Sequence, residues 1–401
     1  MNETTSLPPL QRLRRLLELI LIAACLLGFA SMLVGIGHLL ATGNHPATRD
    51  VISYWAAGQQ VAAHANPYDA DAVLQLERAA GFSTNSPVLI MRNPPYALPL
   101  VLPLGAFPLT AASLLWSLLL IASLTLSVHL FWIASGRPAG KLRLLGYAFA
   151  PALACVMTGQ TAIFALLGLV LFLLLQRKHG FAAGLSLWLC LLKPHLFLPF
   201  AAVLLLWIIV SRRYSVLIGA VVALAASSAF ALWLDPSAWS HYIQLLRSPG
   251  VQAEFIPSLG HGLRAIFPRA AWLQYIPPAA GCCWGVWFYL RRRHTWDWIE
   301  DGALLILVSL TVSPYLWITD HTIVLPALLV GVRRTTTRMQ IIVLGLACLA
   351  IEVAQFKGAS MHSAVFMFAP LFWLGWYFYV SRRRAPSAGT APSPAMAAIA
   401  A

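Results

Sequence analysis

Charge is scarce in this chain. Asp, Glu, Lys and Arg make up 10% of its 401 residues, where soluble domains carry about 25%, so a water-soluble globular fold is excluded. Acidic residues are the rarer sign, 13 against 27 Lys and Arg. The six cysteines (Cys25, Cys155, Cys190, Cys282, Cys283, Cys348) all lie in apolar runs. They show no disulfide framework and no metal-ligand spacing with histidine. A glycine-rich nucleotide loop is also missing. Despite a net charge of +14, no contiguous basic surface is readable, which removes nucleic acid as a partner.

What the chain has instead is apolar sequence: 60% hydrophobic residues and a mean hydropathy of +0.76. Runs of roughly 17–25 apolar residues read as membrane-spanning helices, and many follow one another. The fold class is therefore all-α, a polytopic transmembrane bundle of about 12 spans (10–13) by the spacing of those runs. Basic residues cluster between the runs: Arg12, Arg14 and Arg15; Arg137, Lys141 and Arg143; Arg177 and Lys178; Arg212 and Arg213; Arg291 to Arg293; Arg333, Arg334 and Arg338; Arg382 to Arg384. Under the positive-inside rule these mark cytoplasmic loops. Putting them all inside places 19 of the 27 Lys and Arg there and leaves the outer side with no net charge.

The expected organisation is a cytoplasmic segment 1–15, a membrane domain 16–380 and a disordered cytoplasmic tail 381–401 rich in Ala, Pro and Ser. The first run, Leu16 to Leu40, is too long for a signal-peptide core and reads as a retained span. Residues 42–97 form an outer loop, in which 50–64 and a stretch up to Ala80 have helical apolar spacing. Both are expected to lie on the outer membrane surface, over the bundle. The segments near 144–157, 181–192, 302–314 and 322–332 are short for a core of about 30 Å, as expected of helices that dip into a bundle or re-enter.

Polar signatures sit in the breaks. Asp50 is either a helix-start carboxylate beside Arg49 or a general base. Arg92-Asn93-Pro94-Pro95-Tyr96 is an interfacial anchor or a phosphate clamp; its prolines exclude a regular helix. Thr158-Gly159-Gln160 is a plain turn, or a place where Gln160 holds a sugar hydroxyl. Lys193-Pro194-His195 interrupts an apolar run of some thirty residues, so Lys193 either snorkels to the interface or holds an anionic headgroup. In Ser313-Pro314-Tyr315-Leu316-Trp317-Ile318-Thr319-Asp320-His321, Asp320 either orients His321 or faces water with it. The aromatic residues fit an interface belt or a sugar face equally.

Taken together, Asp50 with Tyr54, Asn66-Pro67-Tyr68-Asp69, Asn93-Pro94-Pro95-Tyr96, Gly159-Gln160, Lys193-Pro194 and Ser313-Pro314 with Asp320-His321 resemble glycosyltransferase family 87. The resemblance runs over roughly 45–330. It implies a C-type (GT-C) membrane glycosyltransferase taking a sugar, a hexose such as mannose, from a polyprenyl-phosphate donor to a glycolipid or glycan acceptor. Transfer would be inverting, on the periplasmic face of the inner membrane, with both termini cytoplasmic. The essential Asp of the first outer loop falls on Asp50, and substrate contacts fall on Arg92, Tyr96, Gln160, Lys193, His195, Asp320 and His321. No cofactor is implied; a divalent metal is compatible with the chain but not indicated. Two departures stand out: Asn93 where Tyr precedes the prolines, and Tyr315-Leu316-Trp317 with an inserted Thr-Asp where Ser-Trp precedes the histidine. The alternative class is a lipid or lipid-linked-saccharide transporter, against which the absence of an internal repeat and the long outer loop count.

Overall fold

The computed structural model describes residues 48–82, 88–138, 142–356, 360 and 362–381. The expected first span, the segment before it and the tail from 382 lie outside them. Every regular element among the described residues is a helix. They are α1 Thr48–Ala62, α2 Ala70–Ala79, α3 Leu98–Gly105, α4 Leu109–Ala134, α5 Ala150–Thr158, α6 Ala162–Leu175, α7 Gly180–Leu191, α8 Leu198–Val210 and α9 Tyr214–Leu234. Then follow α10 Ala238–Arg247, α11 Pro249–Ala253, α12 Leu259–Ile266, α13 Ile276–Arg292, α14 Asp301–Thr311, α15 Leu325–Arg334, α16 Arg338–Phe356 and α17 Phe368–Ser381. Short 3₁₀ turns join several of them.

Punctuation residues set these boundaries. In the first loop, the Asn66 side chain accepts the Tyr68 N–H at 2.9 Å. Asp69 then caps α2 by accepting the N–H groups of Asp71 (2.9 Å) and Ala72 (3.1 Å). Helix α5 ends at Gly159, whose φ of +80° is a left-handed cap suited to glycine. Pro194 opens the 3₁₀ turn between α7 and α8, where its missing N–H costs nothing.

Among the described residues, three helical runs are long and apolar enough to cross a membrane: α4, α9 and Ala364–Ser381. Several of the other expected spans are shorter, among them α6, α7 and α14. At about 1.5 Å per residue, the 14 residues of α6 reach only some 21 Å. The breaks that carry the polar motifs are what shorten them. Helix α6 occupies the centre, buried along nearly its whole length. Helix α9 is the reverse, with Ile218, Val221, Val222, Phe230 and Trp233 exposed, an apolar surface suited to lipid.

Helix α1 packs closely onto the bundle. Val51, Ile52, Ala56, Ala57 and Val61 are fully buried against neighbouring helices. The sequence explains this: apolar residues occupy more than one face.

One end of the bundle gathers the basic clusters. Arg177 pairs with Asp297 at 2.6 Å and Arg292 with Asp301 at 2.5 Å. Glu300 pairs with Arg333 at 3.3 Å and also with Arg334. Clusters far apart in sequence thus converge on one short acidic segment, 297–301.

Helices α7 and α9 cross through Gly184 and Gly219. A Cβ at Gly184 would overlap the Val216 carbonyl, and one at Gly219 the Phe181 carbonyl. Small residues allow such backbone approach where water exclusion cannot drive association. Gly184→Val is expected to destabilise the protein by about 1–3 kcal/mol through overpacking. Thermal unfolding in detergent measures this.

Glu77 yields a pH dependence. It is 3% exposed and accepts the Leu89 N–H at 3.0 Å. Burial pushes its carboxyl from 4.5 up to about 7, against the lowering by that N–H. The folded state therefore takes up a proton between those values. This contribution to stability is full below the unfolded pKa and is lost as pH rises through the folded one. Glu77→Gln should flatten this slope, so its melting temperature gains on the parent's between about pH 5 and 7.5.

Candidate active site

Three breaks meet at a buried polar centre. Lys193 follows α7, where Pro194 prevents the helix from continuing, and it is 6% exposed. Its ammonium donates to Asp320 Oδ1 at 2.5 Å and to Gln160 Oε1 at 2.8 Å. Asp320 is fully buried in the 3₁₀ turn Ile318–Val324, and its Oδ2 accepts the Trp317 N–H at 2.9 Å. Gln160 is aimed by the reversal at Gly159, whose carbonyl accepts the Trp116 indole N–H at 2.7 Å. Here Lys193 does not snorkel to the interface: it stays inside, its charge met by Asp320. Pairing with further hydrogen bonds is what makes two desolvated charges tolerable.

Asp50 approaches this centre from α1. It is half-buried in the first turn. Tyr54 stands one turn later on the same face, 4% exposed. The Tyr54 hydroxyl lies beside Thr161 and within the fields of Asp50, Cys155 and Asp320.

The remaining motif residues are placed differently. Tyr96 donates its hydroxyl to the Leu191 carbonyl at 2.9 Å, and the Asn93 amide donates to the Leu192 carbonyl at 2.8 Å. Together they satisfy carbonyls left open at the end of α7, immediately before Lys193. The Asn93-Pro94-Pro95-Tyr96 motif therefore positions Lys193 from behind. His321 is 1% exposed, and its Nδ1 accepts the Trp373 indole N–H at 3.0 Å. It ties the break to α17, while the Asp320 oxygens serve Lys193 and Trp317. The His195 ring meets Tyr315 edge-on at 5.0 Å, and its buried Nε2 has no partner among the described residues.

Arg92 stands on the other side of Tyr315. Its guanidinium pairs with Glu254 and reaches the Tyr315 hydroxyl at 3.4 Å, and that oxygen also accepts the Trp317 indole N–H at 2.8 Å. Glu254 carries no motif, and nothing in its sequence surroundings marks it. Asn93 differs: a polar side chain before two prolines, at a membrane entry, is the kind of group that satisfies a helix end. Among the described residues no three His, Cys, Asp or Glu side chains gather as a metal site.

Lys193→Met strands the Asp320 carboxylate inside the bundle, an uncompensated charge worth about 3–5 kcal/mol of stability. Lys193→Met with Asp320→Asn should recover most of that loss, and melting of the two variants in detergent compares them.

The family model of glycosyltransferase family 87 matches residues 92–332. That segment holds Arg92, Gln160, Lys193 and Asp320, and leaves Asp50 and α1 before it. No curated protein and no solved structure matches the chain. The family match spans more than half of the 401 residues and contains the whole Gln160–Lys193–Asp320 centre, so this membrane protein belongs to glycosyltransferase family 87 and is a glycosyltransferase.

Proposed function

We propose that this enzyme transfers a hexose such as mannose from a polyprenyl-phosphate donor to a hydroxyl of a glycolipid or glycan acceptor, with inversion. The observation that carries the reading is the meeting of Gln160, Lys193 and Asp320 from three separate breaks, beside the tyrosine that follows Asp50 on α1. Asp50 takes the acceptor proton as the acceptor oxygen attacks the anomeric carbon. The bond from that carbon to the phosphate oxygen breaks on the opposite face, and polyprenyl phosphate leaves with the electron pair. Positive charge at Lys193 and Arg92 offsets the charge that builds on the leaving group. Gln160 and His195 hold sugar hydroxyls, His195 through its open Nε2. In this reading Asp320 fixes the Lys193 ammonium, and His321 and Tyr96 act through the helices they tie.

The reaction is assigned to the periplasmic side of the inner membrane, with both termini cytoplasmic. The convergence of the basic clusters on 297–301, at an end of their own, supports that orientation.

Purified protein supplied with polyprenyl-phosphate hexoses should transfer or hydrolyse the sugar. Asp50→Asn should lower the rate by about 10²–10⁴-fold, the worth of a positioned general base. Full activity in that variant removes Asp50 from the role.

A further inference from the structure

Glu254 is an anion held in a basic setting. Its carboxylate pairs with Arg92 and lies 3.8 Å from His362 Nε2, and its backbone carbonyl accepts from Arg264 at 3.0 Å. These partners come from separate parts of the chain: the end of the first loop, α12, and the segment before α17. His362 is also anchored nearby. His362 Nδ1 meets the Phe255 carbonyl at 2.8 Å, and the His362 ring meets Trp317 edge-on at 4.9 Å.

The segment that delivers Glu254 is held weakly by comparison. Helix α11 has five residues and none is buried; Ser248 before it and Glu254 after it are extended. Few apolar contacts and exposed backbone make such a segment cheap to displace. Arg92, by contrast, sits on better-packed structure, since it adjoins Asn93 and the α7 end. Behind the grip, contacts lead inward from Arg92 to Tyr315, from Tyr315 to His195, and so to the turn holding Lys193.

We propose that Arg92, Arg264 and His362 form a site for a lipid-borne phosphate, occupied in this structure by the Glu254 carboxylate, which the phosphate displaces on binding. A carboxylate and a phosphate ester each present negatively charged acceptor oxygens in pairs, which a guanidinium fork accepts alike. A tethered carboxylate in the site keeps the ligand-ready state a minor fraction and weakens apparent binding by that fraction. Displacement of the carboxylate frees Arg92 and His362, and movement of the segment that carries it frees Arg264 from the Glu254 backbone carbonyl. Identification of the phosphate as the sugar donor's rests on the function proposed above; the site itself does not.

The probe is farnesyl phosphate, binding to the full chain in detergent. Glu254→Gln removes the competing charge and should tighten binding about tenfold or more, the scale of one charge-assisted hydrogen bond. Glu254→Ala serves as a second variant should the first misfold, with monodispersity and melting checked for both. Adding Arg92→Gln to either should abolish the gain. Unchanged or weaker binding in the folded Glu254 variants overturns the proposal, as does a gain that survives loss of Arg92. Nanodiscs separate the sources: competition by phosphatidylglycerol but not phosphatidylcholine assigns the site to bulk lipid headgroups, and no competition assigns it to prenyl phosphates. Tighter farnesyl phosphate binding without turnover of any polyprenyl-phosphate sugar supports the site and defeats the donor reading. Turnover with unaltered affinity does the reverse.

Discussion

The bundle is arranged around one buried ion pair. Neither Lys193 nor Asp320 can rest alone in an apolar interior, where an unpaired charge costs several kcal/mol. Each therefore forces local structure: Pro194 stops a helix so that the lysine can turn inward, and the 3₁₀ turn at 318–324 presents the aspartate. Gln160 fills a remaining donor position on the ammonium and Trp317 a remaining lone pair on the carboxylate. The short helices follow from this, because every polar group delivered to the centre requires a break, and every break shortens an apolar run.

The sequence displayed the breaks well and their internal wiring poorly. Lys193, Asp320 and Gln160 stood out because polar residues are rare in a chain so apolar. Their pairing was hidden, since Lys193 and Asp320 are 127 positions apart and no local pattern links them. His321 and Tyr96 were drawn in by the motifs around them, yet their hydrogen bonds go to Trp373 and to the end of α7. A motif records that residues belong together without saying which support the others. Glu254 left no trace at all, because a single carboxylate in a loop has no periodicity and no spacing to read.

Helix boundaries were more legible than helix lengths. The turn at Gly159 and the break at Pro194 fall where glycine and proline chemistry puts them. Hydropathy counts apolar residues and cannot tell a helix facing lipid, such as α9, from one enclosed by protein, such as α6. The apolar residues of α1 likewise find protein contacts that hydropathy alone does not show.

The acidic segment 297–301 has a mechanical consequence. By holding arginines from the ends of three helical hairpins, it works as a purse-string at one rim of the bundle. Relative tilting of those helices then pivots about that rim, and a given rotation becomes its largest displacement at the opposite one. The far end of α14 leads to Tyr315 and, through it, to the Arg92 contacts, so the tied rim supplies the fulcrum and that end has the greater travel.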